Sequence, residues 1–207
     1  MSEPEKEILP AFIHWTFFET IDEDLYAYSR YLEFNPKNYG AFSVNLARLY
    51  LSICSEVDVL AKMLCAKLKE PTDRSSIEHY RRVITKRYPV FAQFRVQLRP
   101  MSLIIQPWAN WINSKDEDPR ESKHPPWWNS YNKVKHERNL HFDKANLENV
   151  LWSGAGLLVM LVYFCAEAVQ NRQLNIEFRI FQIPQNMQNL ILNGYFLSQT
   201  QAAGFTV

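Results

Sequence analysis

The sequence contains few glycines, few cysteines and no strong excess of either charge. Only 5 of its 207 residues are glycine, while 47% are hydrophobic and 22% are charged, which is the composition of a folded globular protein and not of a disordered chain. The 3 cysteines are isolated in apolar surroundings and form no Cys-x-x-Cys pair, so we predict neither a zinc site nor a redox pair. Such cysteine usage favours a reducing cytoplasm.

Signals for export and membrane insertion are also lacking. The first ten residues, MSEPEKEILP, have neither the basic start nor the apolar run of a secretory signal. The eighteen uncharged residues between Glu148 and Glu167 lie at the lower limit for a transmembrane helix. Because no one-sided Lys/Arg cluster flanks them, we favour the central buried helix of a bundle and no membrane contact. The formal net charge of +1 gives no overall attraction to nucleic acid, although a local basic patch stays open.

Helical periodicity covers much of the chain, and no internal repeat or linker divides it, so we expect a single domain over residues 1–207. Apolar residues recur at helical spacing in residues 21–33 and again in residues 42–69. The second helix has one polar stripe, which faces water or lines a groove: Asn45, Arg48, Ser52, Ser55, Glu56 and Lys62. Residues 75–88 are typical of a basic surface helix capped by Ser75 or Ser76.

Two segments change to the alternation of a β-strand. Residues 91–106 combine Phe94, Val96 and Leu98 with an RPMS turn and a second apolar run, which predicts a β-hairpin. Residues 176–180 alternate in the same way and predict a further strand near the C-terminus. We therefore expect an all-α helical bundle with a small β-hairpin insertion at about residues 91–106 and an extra C-terminal strand.

The third quarter of the chain is expected to form a charged loop, residues 113–124, and two more helices. The first follows Pro125 and Pro126 to about Asn139. The second runs from Asp143 to about Arg172, with Asp143 as its N-cap and with Phe142 and Leu147 as a hydrophobic staple.

The stretch WWNSYNKVKHERNLHF, residues 127–142, is unusually rich in hydrogen-bonding groups. On a continuous helix Asn132, Lys135, His136 and Asn139 share one ridge, with Tyr131 and Arg138 on its flank. This ridge offers a titratable imidazole, a cation and amides, which suit binding and turnover of a phosphodiester. The alternative is that the charges are merely solvated and that Asn132 and His136 tie the helix to its neighbours.

The same stretch bears on metal sites and on interfaces. His136 and His141 are five residues apart, unlike the pair in HExxH, so we expect no metal. The sequence has no Walker loop and no GxGxxG motif, so we expect no nucleotide cofactor either. Trp127 and Trp128 are about 100° apart on a helix, so we expect at most one in the core. The other should cover the groove or a dimer contact, unless both pack against the charged loop.

YNKVKHER, followed by a long apolar helix and preceded by the SEVDVLAK helix, resembles the HEPN superfamily, in particular its uncharacterised bacterial members, over about residues 40–172. The resemblance implies a bacterial helical homodimer that cleaves RNA without a metal, with an antitoxin or defence-system partner. The motif places Asn132 at its polar position and His136 at its histidine, and Arg138, one turn further along, is the candidate to hold the phosphate. Together with the ridge, this gives His136, Asn132 and Arg138 as catalytic candidates and Lys135, Asn139 and Tyr131 as substrate-binding candidates. Tyr131 stands where the family has the arginine that holds the phosphate, so the second hypothesis is a catalytically inactive binding module of the same fold.

Overall fold

The computed structural model describes residues 3–71, 76–99, 101–112 and 123–192. These residues form seven α-helices and a three-stranded antiparallel sheet, which confirms the predicted helical fold with its small hairpin and extra C-terminal strand. The helices are α1 (Glu3–Tyr28), α2 (Val44–Lys67), α3 (Ile77–Arg87), α4 (Pro126–His141), α5 (Leu147–Phe164), α6 (Ala166–Gln170) and α7 (Gln185–Leu192). The strands are β1 (Val96–Leu98), β2 (Leu103–Ile105) and β3 (Phe181–Gln182), in the order β2-β1-β3.

Helix α5 is the centre of the core, as its uncharged sequence predicted. It packs most extensively on α2 and also contacts α1 and α4. Among the described residues it is the one helix long and apolar enough to cross a membrane, and 78% of it is buried inside the protein. Its apolar side chains are therefore covered by the other helices and the sheet.

Two glycines of α5 allow aromatic rings to approach its backbone. A Cβ at Gly154 would lie 2.5 Å from the ring of Phe181, and one at Gly156 would lie 2.9 Å from the ring of Trp127. The Gly156 carbonyl also accepts a hydrogen bond from Trp108 Nε1 at 3.1 Å. The small residues of this segment thus serve ring packing from β3 and α4.

The start of α5 differs from the prediction. Its N-cap is Asn146, whose side chain accepts the Asn149 N–H at 3.0 Å, and the predicted cap Asp143 lies in a 3-10 turn, Phe142–Lys144. This turn redirects the chain, so Phe142 packs edge-to-face against Phe42 at 5.7 Å instead of forming the predicted staple. The helix also breaks at Cys165, so the predicted continuous helix to Arg172 is in fact α5 followed by α6.

Helix α1 begins far before the predicted start at residue 21, and its Asp22 fixes the C-terminal strand. The buried Asp22 carboxylate accepts the N–H groups of Arg179, Ile180 and Phe181 at 2.6, 3.0 and 3.2 Å. Glu177 forms a bridge with Gln182, so the residues between them turn and β3 is limited to Phe181–Gln182, whereas the alternating pattern predicted a strand over residues 176–180.

The predicted helices α2 and α3 are confirmed, with Ser43 and Ser76 as their N-caps. The polar stripe of α2 was predicted to face water or to line a groove, and different residues of the stripe do each. Arg48 forms an exposed ion pair with Asp24 of α1 at 3.1 Å, and Glu56 pairs with His14 of α1. The other cap considered, Ser75, and the charged loop up to residue 122 lie outside the described residues.

Candidate functional site

One side of α4 is buried and fixes the helix in the bundle. Trp127 and Trp128 are only 2% and 6% exposed, so the prediction that at most one of them is in the core was wrong. The sequence pattern did not reveal the packing on either ring: the segment 107–111 covers Trp127, and Trp128 packs against the rings of Trp127 and Tyr131 at 5.9 and 5.2 Å. Trp127 donates Nε1–H to the Pro107 carbonyl at 3.0 Å and meets the Trp108 ring edge-to-face at 5.0 Å.

The opposite side of α4 is open to solvent and includes most of the predicted site. We call it the α4 face and define it as Asn132, Lys133, Lys135, His136, Arg138 and Asn139. All six are exposed except Asn132, which is half-buried. The neighbouring acid Glu137 lies 3.4 Å from His141 and forms an ion pair with it when that histidine is protonated. The six residues of the α4 face include three cations, and the exposed Glu137 lies next to them between His136 and Arg138.

A kink at Glu137 divides the predicted ridge. Glu137 has φ −136° and ψ 51°, outside the helical region, so Asn132, Lys135 and His136 share one helical segment and Asn139 lies beyond the break. On an unbroken helix Arg138 would follow Val134 by four residues, on the buried stripe. The kink instead leaves the Arg138 guanidinium exposed, which avoids the cost of burying a charge.

Tyr131 belongs to the core and not to the α4 face. It is 6% exposed, and its ring packs against Trp128 at 5.2 Å and Tyr50 at 6.2 Å. Burial raises the pKa of its hydroxyl. Lys135 Nζ lies 5.6 Å from the centre of this ring, within range of a cation-π interaction. Tyr131 thus has little surface for a substrate, and its visible role is to support Lys135.

His136 is accessible but not oriented by a partner. Within the described part of the chain no hydrogen bond or ion pair joins its ring to another side chain. His14 and His124, in contrast, contact Glu56 and Asn129. The described residues also contain no group of three or more His, Cys, Asp or Glu side chains close enough to bind a metal ion.

A concave surface lies between the end of α1 and the start of α2. It encloses about 550 Å³ and is lined by Tyr28, Tyr31, Asn45 and Arg48 among others, so part of the α2 stripe does line a groove. Its charged side chains, Arg48 and Asp24, pair with each other. The groove therefore offers less chemistry than the α4 face.

Sequence reasoning missed one residue beside the α4 face. Phe42 precedes the N-cap of α2 and is 52% exposed, although it contacts Phe142 directly after α4. An isolated Phe in a short connection gives no periodic signal, so only the fold reveals that it lies near the end of α4.

Comparisons with protein-family models, with curated proteins and with solved structures found no match to this chain. The HEPN resemblance therefore continues to rest on the quoted motif and its position before a long apolar helix.

Proposed function

We propose that this protein is a HEPN-like helical protein that binds RNA through the α4 face. The observation that supports this proposal most is the exposure of Lys133, Lys135 and Arg138 on one helix, whose own acid, Glu137, lies beside His141. Cations placed in this way bind phosphates irrespective of base sequence, and amides such as Asn132 and Asn139 donate hydrogen bonds to phosphate and sugar oxygens.

Cleavage of the bound RNA is the second candidate function. His136 lies beside Lys135 in sequence and is open to solvent, so it can exchange a proton with a ribose 2′-hydroxyl while Arg138 neutralises the phosphate. Two features favour the inactive binding module instead. No side chain orients the His136 ring in the described structure, and Tyr131 supplies no charge from its buried position. The homodimer and the antitoxin or defence-system partner remain proposals carried by the resemblance.

Binding is tested with a fluorescein-labelled single-stranded RNA and fluorescence anisotropy at several salt concentrations. We expect Lys135→Gln with Arg138→Gln to weaken binding and to lower the slope of log Kd against log salt by about 0.7 for each lost phosphate contact. The matched control is Arg82→Gln with Lys86→Gln, which removes two exposed cations from α3. Equal affinities for the two double variants would contradict the proposal.

Cleavage is tested by incubating the protein with mixed RNA in EDTA and by assaying 2′,3′-cyclic phosphate ends. If His136 is catalytic, His136→Ala should slow cleavage by about 10²- to 10⁴-fold without changing RNA affinity strongly. Intact RNA after binding to the wild type would identify a binding module. Cleavage that persists in His136→Ala, or that requires a divalent metal, would refute the mechanism through His136.

A further inference from the structure

An exposed aromatic ring lies where the α4 face ends. Phe42 is 52% exposed, and its ring meets the half-buried Phe142 edge-to-face, with centroids 5.7 Å apart and an interplanar angle of 88°. Phe142 follows the last residue of α4 directly. The exposed Phe42 ring therefore adds an apolar surface next to the C-terminal end of α4.

The backbone around Phe42 is fixed although its side chain is open. Phe42 forms a β-bridge with Asn146, and the neighbouring Ala41 carbonyl accepts the Leu147 N–H at 2.9 Å. On its other side Ser43 caps α2 by accepting the Leu46 N–H at 3.1 Å. An aromatic side chain on such a backbone is already positioned, so a ligand that stacks on it loses little conformational entropy of the protein.

The distance from the cations to this ring suits one nucleic-acid strand. Arg138 and Phe142 are four residues apart, and His141 between them is not helical (φ −126°, ψ 26°), so the extended length of four residues, about 14 Å, limits the separation of their Cα atoms. The ring centroids of Phe142 and Phe42 are 5.7 Å apart. A strand of a few nucleotides can therefore contact both Arg138 and Phe42.

The charges near Phe42 indicate from which side an RNA strand reaches this ring. Asp143 is paired with Lys144 at 3.0 Å, and Glu148 is exposed on the first turn of α5. In the described residues Lys133, Lys135 and Arg138, on the α4 side of the ring pair, form no ion pair with an acid. Electrostatic attraction therefore brings a polyanion to Phe42 from the α4 side and disfavours its continuation past Glu148.

We propose that Phe42 is a base-stacking residue through which the α4 face selects single-stranded over double-stranded RNA. This inference rests on the proposed RNA binding and names its substrate class. A base in a single strand can place its face on the Phe42 ring, whereas the bases of an A-form duplex are already stacked and paired. Aromatic stacking tolerates any base, so the selection concerns strandedness and not sequence.

The test compares Phe42→Leu, which retains an apolar side chain, with Phe42→Tyr, which retains a ring. Ile104→Ala is the control, because Ile104 is equally exposed, at 52%, on strand β2. We expect Phe42→Leu to weaken binding of a single-stranded RNA by about 5- to 150-fold while duplex affinity stays unchanged. Phe42→Tyr and Ile104→Ala should both bind as the wild type does.

A single-stranded RNA that contains 2-aminopurine reports stacking directly in the wild-type protein. Its fluorescence should fall on binding at one position of the strand, and Phe42→Leu should abolish this change. An unchanged 2-aminopurine signal on binding to the wild type, or equal losses of single-strand and duplex affinity in Phe42→Leu, would overturn the inference.

The two proposals fail in different ways. If Lys135→Gln with Arg138→Gln loses RNA affinity and Phe42→Leu does not, the α4 face binds RNA and the stacking role is wrong. If the wild type binds neither the single-stranded RNA nor the duplex RNA, both proposals are wrong. If Phe42 variants instead lose binding of a copurified protein and RNA affinity is unchanged, the exposed ring is a protein contact and the inference is refuted.

Discussion

Removal of the Asp22 carboxylate should destabilise the protein more than removal of any exposed acid. Its two oxygens accept the N–H groups of Arg179, Ile180 and Phe181, and both Ile180 and Phe181 are buried residues. In Asp22→Ala these two buried donors lose their acceptor. In Asp22→Asn one oxygen remains for them, but the new NH₂ group faces the Arg179 N–H, which is also a donor.

The magnitude follows from the number of donors left unpaired. A buried donor without an acceptor costs about 1–3 kcal/mol, so two of them cost about 2–6 kcal/mol in Asp22→Ala. Burial raises the pKa of Asp22, and the three N–H groups and Arg179 oppose this shift. The removal of a desolvated carboxyl group therefore returns part of the cost, and we expect a loss of about 2–4 kcal/mol. Asp22→Asn loses one charge-assisted hydrogen bond and should cost about 1.5–3 kcal/mol.

Urea unfolding followed by tryptophan fluorescence measures these losses, since several of the tryptophans are buried. Glu23→Ala is the control, because it removes the adjacent, exposed carboxyl and should change the unfolding free energy by less than about 0.5 kcal/mol. Amide hydrogen exchange at Arg179, Ile180 and Phe181 should accelerate in Asp22→Ala. Equal midpoints for Asp22→Ala and Glu23→Ala would refute the reasoning.

Two further predictions concern the core. Gly154→Ala places a Cβ 2.5 Å from the Phe181 ring and should cost about 1–3 kcal/mol, a cost that should shrink in a Phe181→Leu background; equal costs in both backgrounds would contradict this contact. All three cysteines are buried, and burial raises the pKa of Cys65 to about 11 and of Cys165 to about 12. The native protein should therefore resist a thiol-reactive disulfide reagent at pH 8, where a thiol of pKa 11 is ionised to only about one part in a thousand, whereas three thiols should react after unfolding.

Hydrophobic periodicity was sufficient to predict much of the fold. The uncharged run of α5 and the stripe of α2 reveal the two helices that pack most extensively, and the alternation of Phe94, Val96 and Leu98 reveals the hairpin. The errors arose where a local pattern competes with a distant contact. The strand near residue 180 starts late because Glu177 bridges Gln182 and the chain turns between them, where Asp22, remote in sequence, binds its amides; α5 starts late because a 3-10 turn follows α4.

The sequence could name the residues of the candidate site, but it could not predict which of them lie together on the exposed surface. Spacing on a continuous helix placed Asn139 with Asn132, yet the kink at Glu137 separates them and exposes Arg138. Periodicity alone cannot show such a kink, because it assumes a constant turn per residue. The burial of Tyr131 has a similar origin, since its neighbours come from other parts of the chain. It also implies that Tyr131→Arg, which would recreate the arginine of the HEPN motif, would bury a charge and destabilise the fold.

The position of Asp22 has a consequence for synthesis of the chain on the ribosome. Its hydrogen-bond partners lie 157 to 159 residues downstream. At about 5–20 residues per second, they emerge roughly 8–30 s after Asp22 itself. Trp15 and Phe18 of the same helix pack against Phe178 and must wait for the same segment. Helix α1 is made before the other described helices and is nevertheless among the last to be secured. A nascent chain released before residue 178 would leave this aromatic side of α1 without its cover.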